Sequence, residues 1–255
     1  RADRVSYHHR DLRGRILEEF GVGEGRLVVL PQGVLFEDKE KGGQGEGEIR
    51  APLGTDTFVS QGVSPRGAPS QPLTVGYLAH FNRASEEGTI LDIFQRATEV
   101  MEGIRLLFMG GGPGLASLRV SASLRRGLNV AFSGPLEPGA VQGWLSGCAA
   151  LIHYTPDKPA NRYRCSMKLR DYLASGRPVA ANALFEAALY KDVIYSSPGD
   201  DAEALAKVLR DVLAGRTDGR EAGGPGRVRE MHWERIGAEL AQRLEAALAH
   251  QKGPR

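Results

Sequence analysis

From Leu73 onward the chain runs through six short apolar segments, LTVGYLA, IRLLFMG, LNVAFSG, AALIHY, RPVAA and DVIYS, separated by stretches of helical periodicity. Ile90, Phe94, Ala97 and Met101 mark one such stretch, and Leu205, Val208, Leu209 and Val212 another. Near-continuous apolar runs fit strands buried on both faces, and strands that alternate with helices join through crossovers. The order therefore predicts an α/β fold, a doubly wound parallel sheet covered by helices on each side.

The same pattern sets the domain limits. Residues 73–215 form the expected α/β domain. Before them, residues 37–72 carry GGQGEGE and SQGVSPRGAPSQP, too poor in apolar side chains to offset the entropy of ordering, and read as a flexible linker. After them, residues 216–255 read as a loop and a terminal helix. Its stripe of Trp233, Ile236, Leu240, Leu244 and Leu248 needs a surface to dock on.

Composition excludes several classes of partner. Thirty-three Lys and Arg against 31 Asp and Glu leave a net charge of +2, too little to draw the whole chain onto nucleic acid or lipid. No apolar run approaches the roughly 18 residues of a membrane span. Two cysteines, Cys148 and Cys165, allow at most one bridge and suit a reducing cytoplasm. The six histidines lack ligand spacing, so no metal is expected.

Two segments stand out chemically. Gly110, Gly111, Gly112, Pro113 and Gly114 follow a strand and precede a helix, where backbone N–H groups approach a phosphate closely. The run is no dinucleotide fingerprint, because Leu115 stands where the third glycine belongs. A tight strand-to-helix turn that uses glycine for its dihedrals is the equal alternative. The second segment is CSMKLRDYLASGRPVAAN. Ser166 is placed to cap a helix whose buried stripe is Leu169, Tyr172 and Leu173, and Gly176 ends it.

Around this helix lie Lys158, Arg162, Arg164, Lys168, Arg170 and Arg177, six cations against the carboxylates Asp157 and Asp171. Cations beside a helix N-terminus oppose the macrodipole, which suits a bound diphosphate. The alternative is a solvated basic loop with Lys168 and Asp171 as an exposed pair. His153 ends a strand and reads as a satisfied core residue. His80 follows the first strand, where carboxyl ends gather ligands.

In order, GYLAHFNRASEEG, LLFMGGGPGLASL, VAFSGPL, AALIHY, SMKLRDYLASGRPVAA and a final WERIGAEL helix resemble the retaining GT-B glycosyltransferases of the family-four kind, over roughly residues 73–250. SMKLRDYLASGRPV is the most specific part and is similar to the family's Lys-Leu-x-Glu-Tyr-x-Ala-x-Gly-x-Pro-Val pattern. The resemblance implies the Rossmann-like half that holds a nucleoside-diphosphate sugar, with no cofactor and no metal. Arg83 and Lys168 would then stabilise the leaving diphosphate as catalytic cations. His80, Asn82, Gly110, Gly111, Gly112, Gly134, Leu136, Ser166, Met167 and Asp171 would bind the donor, Asp171 taking the ribose hydroxyls.

Two positions depart from the family. Tyr163 stands where a carboxylate faces the transferred sugar, and Glu87 stands where a lysine is usual. Upstream, residues 1–36 resemble the end of an acceptor domain and the hinge after it. The acceptor, a sugar or lipid, would be held by an N-terminal domain whose remainder is missing, so this half alone is not expected to turn over. The alternatives are a degenerate nucleotide-sugar-binding module and a nucleotide-sugar 2-epimerase.

Overall fold

The computed structural model describes residues 5–7, 27–29, 72–82, 86–229 and 231–251. The expected linker up to residue 71 and Arg83 lie outside them. Two short strands, β1 (Val5–Tyr7) and β2 (Leu27–Val29), pair in parallel with Val5 opposite Leu27.

The main body is a six-stranded, all-parallel sheet. Its strands are β3 (Leu73–Leu78), β4 (Ile104–Met109), β5 (Val130–Gly134), β6 (Ala150–His153), β7 (Val179–Asn182) and β8 (Tyr195–Ser197). Their spatial order is β5-β4-β3-β6-β7-β8. The chain winds outward from β3 to β5, then returns to β6 beside β3 and winds the other way. This is the doubly wound topology the alternating runs predict, and its switch point lies between β3 and β6.

The described α-helices are α1 (Glu86–Thr98), α2 (Leu115–Ser123), α3 (Val141–Ser146), α4 (Met167–Ala174), α5 (Ala202–Leu213), α6 (Gly224–Arg229) and α7 (Trp233–Gln251), with short 3-10 turns between some of them. Side chains alternate between the two sheet faces as the pleat requires. Val75, Tyr77, Leu106, Phe108, Ala150, Ile152 and Ala180 meet α1, α2 and α5 through Ile90, Phe94, Leu118, Leu205 and Leu209. Leu107, Met109, Leu151, Val179 and Ala181 face the other way, toward Leu145 of α3, Leu169, Tyr172 and Leu173 of α4, and Val228 of α6. Gly76 sits on that second face because a Cβ there would come within 2.7 Å of Cys148 Sγ and Met109 Cε. On α7, Ile236 is buried while Trp233, Leu240 and Leu244 are exposed. No described helix is long and apolar enough to cross a membrane.

Candidate functional site

Helix α4 begins as its sequence requires. Ser166 adopts extended backbone and its Oγ accepts from the Leu169 N–H at 3.3 Å. Leu169, Tyr172 and Leu173 are buried, and Gly176 takes φ of 65° just beyond the last turn, the left-handed stop that glycine permits. The Tyr172 hydroxyl accepts from the Leu78 N–H at 2.7 Å, which ties the helix to the carboxyl end of β3. The helix is thereby held beside the switch point. In its first turn the Leu169 N–H is taken by Ser166, while those of Met167 and Lys168 have no preceding helical carbonyl to bond.

A carboxylate from another part of the chain completes this arrangement. Glu186, in the 3-10 turn Phe185–Tyr190 after β7, is buried, accepts the Ser166 N–H and pairs with the buried Arg170. Arg170 is therefore a structural cation and no part of an anion-attracting surface. Sequence reasoning counted it among the basic residues of the site and missed Glu186, which lies 20 residues from Ser166 with no spacing rule to connect them.

Lys168, on the first turn, donates from Nζ to the Tyr77 hydroxyl at 3.0 Å and lies 4.2 Å from the centre of its ring. A narrow pocket opens here, with about 30 Å³ of space, roughly that of one water molecule. Ser166, Lys168, Arg164, His153, Thr155 and Phe185 are among its lining residues. His153 is not the satisfied core residue expected. It is 3% exposed, its Nε2 lies 3.2 Å from Thr155 Oγ1, and its Nδ1 is buried with no hydrogen-bond partner. Burial, reinforced by Lys168 and then Arg164, lowers its pKa to about 3, so the ring is neutral.

Asp171 lies on the same helix, partly buried. Burial raises its carboxyl to about 6, against the opposing pull of Arg170. Met167, between Ser166 and Lys168, is also partly buried, and Leu136 packs on the edge of the second core cluster. Tyr163 ends the 3-10 turn Pro159–Tyr163, and Glu87 stands in the first turn of α1, where its charge complements the helix dipole.

The glycine run has a steric role that its own sequence does not reveal. The loop after β3, carrying the exposed His80 and Asn82, crosses directly over it. The Phe81 N–H donates to Gly111 O at 2.9 Å and the Gly114 N–H to Phe81 O at 2.8 Å. A Cβ on Gly112, which has φ of 143°, would lie 2.3 Å from Phe81 O. The Gly110 N–H is bonded to Gly134 O at 3.1 Å and to Ser133 Oγ at 3.2 Å. Two of the N–H groups proposed for phosphate are thus engaged within the protein. Gly112→Ala is expected to cost roughly 2–4 kcal/mol of stability in denaturant unfolding, from backbone strain and overpacking together.

Neither Cys148 nor Cys165 is in a disulfide, and burial pushes the Cys148 thiol up to about 12, which leaves it inert. Among the described residues no group of three His, Cys, Asp or Glu is gathered as a metal site would require.

No protein-family model matches the chain, and no curated protein matches its sequence. Solved structures do match its fold. Sucrose-phosphate synthase from Thermosynechococcus elongatus aligns over 98% of this chain and 59% of its own, with 19% identity and a TM-score of 0.63. Anabaena HepE in complex with UDP-glucose aligns over 96% of this chain and 64% of its own, with 13% identity and a TM-score of 0.64. The pneumococcal O-GlcNAc transferase GtfA in complex with UDP and GlcNAc aligns over 97% of this chain and 46% of its own, with 11% identity and a TM-score of 0.66. The chain spans less than two thirds of the length of each. These neighbours are GT-B glycosyltransferases. The chain shares with them the doubly wound, Rossmann-like α/β fold.

Proposed function

We propose that this chain is the donor-binding half of a retaining glycosyltransferase, which transfers a hexosyl unit from a nucleoside-diphosphate sugar when a second domain supplies the acceptor. The observation that carries the proposal is the start of α4. It is capped, belongs to a helix held beside the switch point, and is flanked by Lys168 and Arg164 in one pocket with a neutral histidine. Neighbours of the same fold bind UDP-glucose or UDP, as their complexes state.

In this reading the diphosphate lies at the first turn of α4. As the bond from the anomeric carbon to the diphosphate oxygen breaks, its electron pair leaves with the phosphate, while the acceptor hydroxyl oxygen bonds the anomeric carbon and its proton passes to the departing diphosphate. The Lys168 ammonium, the N–H groups near Ser166 and the Arg83 guanidinium stabilise that charge. Asp171 accepts the ribose hydroxyls. Because side-chain cations offset the diphosphate directly, no metal is required, and a cytoplasmic setting supplies the donor.

Titration calorimetry with UDP, GDP and their hexose conjugates tests this. Saturable binding by the chain is expected for at least one nucleoside diphosphate, unchanged by EDTA. Strict dependence on Mg²⁺ or Mn²⁺, or no binding of any of them, would refute the reading.

A further inference from the structure

Phe185 is the sole non-glycine in the left-handed region among the described residues, with φ of 49°. That conformation crowds the Cβ against the backbone, and a bulky side chain stays there only where the surroundings over-determine it. Here they do. On one side, the Ala183 N–H donates to Ser197 O at 2.8 Å and the Leu184 N–H to Asn182 O at 2.8 Å. On the other, Glu186 is fixed by the Ser166 N–H and Arg170, and the Ala187 N–H donates to Leu184 O at 3.0 Å. Glycine would satisfy this turn without crowding, yet a ring stands in its place.

Phe185 lines the same pocket as Lys168 and His153, whose Nδ1 is buried and unpartnered. One pocket thus combines an apolar wall, an unfilled hydrogen-bonding atom and a cation at a helix start. The pocket is the size of one water molecule, so it admits a single hydroxyl or hydroxymethyl group of a diphosphate-linked hexose, against an aromatic side chain and beside a cation for the phosphate.

We propose that Phe185 is a specificity-determining residue, its strained backbone placing the ring against the transferred sugar of the donor. The inference rests on the nucleotide-sugar reading above. Phe185 contributes to binding the sugar and nothing to binding the nucleotide.

Phe185→Ala and Phe185→Gly, titrated with UDP and UDP-glucose, or with GDP and GDP-mannose if the wild type prefers guanine, separate the two. Both variants are expected to hold the nucleoside diphosphate within about twofold of wild type. Each should lose roughly 3- to 12-fold in affinity for the sugar conjugate, the range of an aromatic packing contact. The Gly variant should also melt above the Ala variant, the reverse of the usual order, because glycine relieves the left-handed crowding. Wild-type binding with an unchanged ratio of the two affinities in both variants would overturn the role of Phe185. No nucleotide binding by the wild type would instead overturn the reading on which it rests.

Discussion

Replacing Asp171 with Asn should stabilise the unliganded protein by roughly 1–3 kcal/mol above pH 6 while weakening nucleoside and nucleotide binding by a similar amount. The stability gain follows from burial, which raises the carboxyl from 3.8 to about 6. A carboxyl whose folded-state pKa is raised disfavours the fold once it ionises. The cost is absent below the unfolded-state value near 4, grows between about 4 and 6, and is complete above that. Denaturant unfolding at pH 4 and pH 7 should therefore show Asp171→Asn equal to wild type at the lower pH and more stable at the higher.

Binding should move the other way, because Asn carries no charge with which to accept the ribose hydroxyls. UDP-glucose is the right probe, since its diphosphate lacks the terminal group that titrates near pH 6 in UDP. Wild-type affinity for it should fall as the pH drops through about 6, toward that of the Asn variant. An Asn variant no more stable than wild type at pH 7 would show that the carboxyl carries no burial cost.

The Arg170–Glu186 pair should give the largest stability effect. Their side chains are 3% and 7% exposed, so Glu186→Ala leaves a guanidinium buried without its carboxylate. The expected loss is about 3–5 kcal/mol. The double variant Arg170→Met/Glu186→Leu should recover most of it, since well-packed apolar residues replace a buried ion pair at little net cost. A double variant as unstable as the single one would mean that the bond to the Ser166 N–H matters more than the charge.

Local rules made much of this molecule legible. The six strands stood out because sheet strands buried on both faces are apolar throughout, and the limits of α4 because its cap and its stop are set by adjacent residues, Ser166 and Gly176. What could not be read depended on distant segments. Glu186 reaches Ser166 from 20 residues away and Arg170 from 16, so Arg170 was counted with the cations of the site although it is buried in an ion pair. The glycine run was read for phosphate contact, but its tight geometry answers to Phe81, some thirty residues earlier in a different loop. His153 looked like ordinary core because its sequence neighbours are apolar. Only the fold shows that its Nδ1 has no partner.

In the proposed function, α4 presents Lys168 to the phosphates of a nucleotide. Lys168→Ala tests it most directly, through calorimetric titration with UDP and uridine, or with GDP and guanosine. Loss of a charge-assisted contact of about 1.5–3 kcal/mol should weaken diphosphate binding roughly 10- to 150-fold and leave nucleoside binding within about twofold. An unchanged diphosphate affinity, or an equal loss for nucleoside and diphosphate, would contradict the placement of phosphate at this helix.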